Sequence, residues 1–231
     1  GGSNGTGPTA TDTPSRPDPL PIDLDTHEHV TLGLSPTTTS WATAVQCTSP
    51  SSALVAGGDL HTDITANSGT VVIDAVTGVG STDAIDTTIA TLDLDHTTSG
   101  HVDINETDAL AINELDQDAA AGTVNVDAGG TITVVDGLAG VSGLAGQVEL
   151  DANGAASSIV INASVTSTSG DINLLADNDV TFDATSDVTS TSGNVTVTGD
   201  ANGGGSGTDG AVTMADGATI DAGTGTRHIA A

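Results

Sequence analysis

Short segments in which aliphatic and polar residues alternate recur along the chain, and one such segment follows most of a set of regularly spaced glycines. After these glycines the chain reads GHVDIN, GTVNVD, GQVELD, GDINLL and GNVTVT. Side chains of a β-strand alternate between its two faces, so each segment presents two aliphatic residues to one face and polar residues to the other. The repeating glycines are Gly100, Gly122, Gly146, Gly170, Gly193 and Gly225.

Two further short alternating segments follow each of these within the same repeat. The second has the form ALAIN, TITVV, SIVIN, DVTFD or AVTMA, and the third carries Val141, Val165, Val188 and Ile220. The hexapeptide VTSTSG, at 165–170 and again at 188–193, is the third segment of one repeat plus the glycine that begins the next. Three short strands per repeat, with Gly, Asn and Asp at the corners, predict an all-β parallel β-helix, or β-solenoid.

The predicted β-helix covers 60–231 and has about seven coils of 22–24 residues. The longer step between the last two glycines is explained by an inserted loop, TGDANGGGSGTDGA, at 198–211. Residues 1–21 hold five of the seven prolines together with Gly, Ser and Thr, which predicts a disordered linker. Residues 22–59 follow neither period cleanly and are interpreted as an entry segment or cap.

The charge balance is extreme and restricts the classes of partner. There are 31 acidic residues against only Arg16 and Arg227, giving a formal net charge of −29. Such a surface repels nucleic acid and anionic membranes, and no apolar run approaches membrane-spanning length. Aromatic residues are almost absent, which argues against a sugar-stacking platform or a small-molecule pocket. We expect so many carboxylates to be accompanied by bound calcium or by a high salt concentration, which screens their charges.

The run TSGDINLLADNDVTFDATSDVTSTSGNVTVTGDANGGGSGTDGAVTMADGATIDAGTG resembles the β-helical repeats of filamentous-haemagglutinin-like surface proteins and adhesins of bacteria. The motif is G-x-[VI]-x-[VIL] followed by an Asp, Asn or Gly corner. The resemblance implies a right-handed β-helix, export to the cell surface or medium, and an adhesive or structural role. One departure is Arg227, which occupies a slot where the pattern has Val or Ile and predicts either a slipped register or a frayed last coil.

Carboxylates gather at the corner after the first segment of successive repeats. Stacked coils would place them about 4.8 Å apart along one ridge, where a hard cation such as Ca²⁺ could bridge them. The alternative is that Asp and Asn occur there because they favour tight turns. The predicted calcium ridge consists of Asp127, Asp151, Asp177, Asp179, Asp200 and Asp209.

Three other motifs suggest binding chemistry more weakly. GGSGTDGA at 204–211 partly matches a calcium-binding nonapeptide but occurs once, so a flexible loop is expected. DLDTHEH at 23–29 could hold a transition metal only if extended, and a solvated segment is the alternative. His96 and His101 are expected in an exposed turn.

The sequence therefore predicts a secreted or cell-surface structural or adhesive segment with no catalytic centre and no required cofactor. Its expected partners are a host or neighbouring cell surface, or further copies of itself in filaments. Two alternatives stay open. Parallel β-helices also include polysaccharide-degrading enzymes that use paired carboxylates, and Thr-x-Thr ladders such as TVT at 196–198 and TIT at 131–133 occur in ice-binding solenoids, although here they lie on different sides.

Overall fold

The computed structural model describes residues 45–49, 53–56, 62–80, 83–203 and 210–231, and these form eighteen β-strands. Every strand pairing among them is parallel. The strands are β1 (Val45–Ser49), β2 (Ile64–Ala75), β3 (Ile85–His96), β4 (Val102–Glu106), β5 (Leu110–Gln117), β6 (Val124–Ala128), β7 (Ile132–Val134), β8 (Gly140–Ser142), β9 (Val148–Ala152), β10 (Ile159–Ile161), β11 (Ser164–Ser167), β12 (Ile172–Ala176), β13 (Val180–Phe182), β14 (Asp187–Ser190), β15 (Val195–Thr198), β16 (Val212–Met214), β17 (Thr219–Asp221) and β18 (Arg227–Ala230).

The chain winds as a parallel β-solenoid of about six turns, where the sequence predicted about seven coils. Its first side contains β4, β6, β9, β12, β15 and β18, each paired with the next. The second side contains β7, β10, β13 and β16, and the third contains β8, β11, β14 and β17. The predicted all-β solenoid is confirmed.

The solenoid core consists of aliphatic side chains stacked in columns. On the first side, Val102 pairs with Val124, which pairs with Val148, and the column continues to Val195. These side chains are almost completely buried. Each contributes roughly 1.5–3 kcal/mol relative to an exposed position. Because a single coil has no neighbour above or below, this burial exists only when coils stack.

The N-terminal coils differ from the regular repeat in two ways. Strands β2, β3 and β5 continue around corners, so each contributes to more than one side. In addition, β1 pairs in register with the second half of β2, and Leu54 pairs with Val79. The described part of the predicted entry segment at 22–59 therefore stacks as part of the solenoid. The predicted linker at 1–21 lies outside the described residues.

In the repeated hexapeptide VTSTSG, the first serine and the glycine join one coil to the preceding coil. Ser167 is buried, and its hydroxyl accepts from the Gly170 N–H (2.9 Å) while it donates to the Gly146 carbonyl of the preceding coil (2.9 Å). Ser190 makes the same two contacts one coil later, with Gly193 (2.9 Å) and Gly170 (2.8 Å). The repeat thus encodes a side-chain bridge as well as a strand.

The last coil keeps the register despite its unusual residue. Arg227 pairs with Val195 on the first side. After the inserted loop the second side resumes in register, since Val212 pairs with Val180. The predicted slip of register is therefore wrong. Arg227 is exposed, and its Nη1 donates to the Ile220 carbonyl at 3.0 Å. Ile229 is 49% exposed, so the core is partly open at this end.

Candidate functional site

Two of the predicted calcium-ridge residues are stacked directly. Asp127 on β6 pairs in register with Asp151 on β9, and both side chains point outward from the first side. The preceding coil has Asn105 at this position and the following coil has Leu175. The column therefore contains two consecutive carboxylates rather than a continuous ridge.

The other predicted ridge residues lie at different corner positions. The Asp177 N–H donates to the carbonyl of Ala152 (3.0 Å), the residue after Asp151. Asp177 itself lies two residues beyond Leu175, which pairs with Asp151. Asp179 accepts at Oδ1 from the Ala211 N–H (2.8 Å), just before β16. The Asp200 N–H donates to the Asn178 carbonyl (3.1 Å).

Asp209 lies outside the described residues. The described members of the predicted ridge do not form one column, because Asp177 and Asp179 lie two and four residues beyond Leu175, the residue that pairs with Asp151. The corner between the first and second sides is also longer after β9 than after β6 or β12. Whether any of these carboxylates binds calcium stays a prediction.

The outward side chains of the first side form an acid–amide face. On this face an amide of one coil donates to a carboxylate of the coil before it. The bonds run from Asn105 Nδ2 to Asp86 Oδ1 (2.8 Å), from Asn125 Nδ2 to Asp103 Oδ1 (3.0 Å), and from Asn173 Nδ2 to Glu149 Oε2 (2.9 Å). Alternating amides with carboxylates separates like charges that direct stacking would bring together. The face consists of Asp86, Asp103, Asn105, Asn125, Asp127, Glu149, Asp151 and Asn173.

Asp151 is the point on this face where carboxylates crowd most. Burial raises its pKa to about 6, and the charges of Asp127, Glu149 and Asp177 add to the rise. Burial also raises the pKa of Asp127, but a hydrogen bond from Asn125 acts against that rise. Protonation or a bound cation would relieve the repulsion at Asp151.

A second acidic cluster, which the sequence analysis missed, lies on the third side. Asp74, Asp95 and Asp116 are in register on three successive coils, and Asp93 pairs with Glu114 beside them. Burial and neighbouring carboxylates raise the pKa of Asp95, Glu114 and Asp116. We call this set the acidic column. The signal available in the sequence was an Asp immediately after an aliphatic residue in VVIDA, LDLDH and NELDQ.

The remaining candidate motifs give no metal site in the part of the chain that is described. There, no three His, Cys, Asp or Glu side chains are arranged to hold a metal ion. The motif at 23–29 and most of GGSGTDGA lie outside the described residues. A shallow depression of about 260 Å³ is lined by His101, Asp103, Thr123 and Asn125, among others. His96 is fully buried, so its predicted place in an exposed turn is wrong.

Comparison of the chain with family models, with curated proteins and with solved structures finds no match. The resemblance to filamentous-haemagglutinin-like repeats stays a prediction. None of the described segments forms an apolar helix of membrane-spanning length.

We expect Asp151→Asn to stabilise the protein at neutral pH by about 1 kcal/mol, after allowance for solvent screening. The folded-state pKa of Asp151 is raised, so the stability that its protonation gives is complete below about pH 4 and is lost as the pH rises through about 6. Urea unfolding at several pH values should show a flatter profile for the variant. Asp216→Asn, which removes an exposed charge, is the matched control, and equal pH profiles for Asp151→Asn and wild type would contradict the prediction.

Proposed function

We propose that this chain is a structural or adhesive segment of a large secreted or cell-surface protein, in which an acidic β-solenoid acts as a stalk. The observation that carries the proposal is the first side, whose column runs in register from Val79 to Arg227. A column of paired strands of this kind lengthens the rod coil by coil. It does not bring several polar groups together at one point, as an active site would. Its functional surface would then be an extended face rather than a pocket.

The charge of the surface favours a setting rich in cations. At about 4.8 Å in water, two neighbouring carboxylates repel each other by about 1 kcal/mol. Such neighbours occur at Asp127 and Asp151 and along the acidic column. We infer that Ca²⁺ stabilises the stalk by bridging or screening carboxylates of adjacent coils. Sodium at high concentration would achieve part of this by screening alone.

Adhesion to a host or neighbouring cell, or self-association into filaments, is the role that fits such a stalk. It follows from the resemblance to filamentous-haemagglutinin-like repeats, and the acidic surface supports it by disfavouring nucleic acid and anionic membranes as partners. Beads coated with the folded chain should be retained on a target cell layer more than beads coated with the heat-unfolded chain. Equal retention would contradict the adhesive role, and release of sugar fragments from polysaccharides would favour an enzyme instead.

Thermal unfolding tests the cation dependence. At low ionic strength we expect millimolar CaCl₂ to raise the midpoint by several degrees relative to EDTA, because the cation offsets repulsion between coils. The double variant Asp95→Asn with Asp116→Asn should show a smaller calcium increment, since it removes two stacked charges of the acidic column. Asp216→Asn is the control for loss of charge alone. An unchanged wild-type midpoint in calcium and EDTA would remove calcium from the proposal.

A further inference from the structure

The corner after β9 leaves the regular hydrogen-bond ladder of the solenoid. In the following coil the Asp177 N–H donates to the Ala152 carbonyl at 3.0 Å. The N–H of the next residue, Asn178, donates to the Ser157 carbonyl at 2.8 Å, which lies five residues beyond Ala152. The main chain of the following coil therefore bypasses residues 153–156, and we call this segment the excursion.

The excursion makes few contacts with the rest of the fold. The Asn153 N–H donates to the Ala128 carbonyl of the preceding coil at 2.9 Å, and the Ser157 N–H closes a turn onto the Gly154 carbonyl at 2.8 Å. The Asn153 side chain is exposed. Within the described part of the chain, neither its amide nor the Gly154 N–H makes a hydrogen bond. Segments held by so few hydrogen bonds open locally at a low cost in free energy.

Asn153 and Gly154 form a dipeptide in which a main-chain nitrogen can react with a side-chain amide. Glycine has no Cβ, so its nitrogen is unhindered and its main chain adopts a wide range of conformations. The fold also requires glycine here. An added Cβ at Gly154 would lie well inside contact distance of the Gly129 carbonyl of the preceding coil. The reactive pair is therefore fixed by the packing of the corner.

Another Asn–Gly pair among the described residues, Asn202–Gly203, differs at the nitrogen that would react. The Gly203 N–H donates to the Asp200 carbonyl at 2.9 Å and is occupied. Both Asn153 and Asn202 are exposed, so access of water does not distinguish them. The difference is the N–H of the following residue, which is engaged at Gly203 and unengaged, among the described residues, at Gly154.

We propose that Asn153 is a site of spontaneous modification, at which water converts the asparagine to isoaspartate or aspartate through a succinimide. The Gly154 main-chain nitrogen attacks Cγ of Asn153. The new N–Cγ bond replaces the bond from Cγ to the side-chain nitrogen, which leaves as ammonia with the proton from the Gly154 N–H. Water then opens the ring. Cleavage at Cγ gives aspartate, and cleavage at the main-chain carbonyl carbon of Asn153 gives isoaspartate.

The modification weakens the stack of coils at this corner. Either product adds a negative charge two residues beyond Asp151, which already faces the charges of Asp127 and Asp177. Like charges this close repel one another. Isoaspartate also lengthens the main chain within the corner, which strains the bond from Asn153 to Ala128. The aged protein should therefore unfold at a lower temperature than the fresh protein.

Peptide mapping of the full chain tests the assignment. The folded protein is incubated at mildly alkaline pH, digested at acidic residues and analysed by mass spectrometry. We expect the peptide with Asn153 to gain the mass difference between an amide and an acid, and isoaspartyl methyltransferase to label it. The rate should lie within about tenfold of the rate in urea, because opening the excursion costs little free energy. A slower folded-state rate would overturn the proposal, and so would conversion at Asn202 alone.

Asn153→Gln is the blocking variant, because the longer side chain would have to close a larger and less favourable ring. Asn202→Gln is the matched control. After incubation, methyltransferase labelling of the corner and the fall in unfolding midpoint should persist in Asn202→Gln and be lost in Asn153→Gln. Equal labelling and equal loss of stability in the two variants would overturn the assignment. If Asn153→Gln does not fold, the peptide map of the wild-type chain alone decides the question.

Discussion

Replacing Gly170 by alanine should destabilise the solenoid by about 3 kcal/mol or more. A Cβ atom at this position would lie well inside contact distance of the Gly146 carbonyl, which belongs to the backbone of the preceding coil. Backbone held by pairing on both sides cannot move away without breaking those pairs. Equilibrium unfolding in urea, or loss of the folded circular dichroism spectrum, measures the effect.

The matched control is Gly137→Ala. An added Cβ at Gly137 meets nothing within 4 Å, although its φ of 73° disfavours a side chain. We therefore expect a loss of only about 1 kcal/mol there. If the two variants were equally stable, the close approach of successive glycines would not be what fixes the period of the repeat.

Replacing Glu106 by glutamine should cost about 1–3 kcal/mol. The Glu106 carboxylate is 1% exposed and accepts three kinds of donor: the Thr87 hydroxyl (2.6 Å), the Ile89 N–H (3.0 Å) and the Asp108 N–H (3.2 Å). Burial raises its pKa, and these three hydrogen bonds act against the rise. Glutamine would turn one acceptor into a donor that faces other donors.

Glu114→Gln makes the same chemical change on an outward position of β5 and should have the opposite sign. Burial and the neighbouring Asp93, Asp116 and Asp95 raise the pKa of Glu114, so removing its charge relieves repulsion. Measured by urea unfolding at neutral pH, Glu106→Gln should be less stable than wild type and Glu114→Gln equally or more stable. A stabilising Glu106→Gln would show that the buried carboxylate is not satisfied by its donors.

The sequence predicts the strand columns well because their signal is local and repeated. Alternation after each glycine identifies Val102, Val124 and Val148 as one column, and the register of the pairs agrees. The physical reason is that a strand of five residues has three inward positions, which aliphatic side chains fill without polar partners in β6, β9 and β12.

Corners are far less predictable, because their length varies while their composition does not. The corner after β9 contains three more residues than the corner after β6, and Asp177 lies two residues past the position that pairs with Asp151. Glu106 and His96 continue the inward alternation of their strands, but the sequence does not show the partners that would satisfy a polar side chain there. Their burial depends on partners such as Thr87 and Gln117, which lie 19 and 21 residues away.

The stacking of coils through parallel pairs has a mechanical consequence. The hydrogen bonds between strands such as β9, β12 and β15 point from coil to coil. A force that separates the two ends would therefore load one coil's bonds at a time and peel that coil away. Each coil of 22–24 residues released in this way lengthens the tether by about 70–80 Å. Under tension the rod would extend in steps and absorb work, while its remaining coils stay intact.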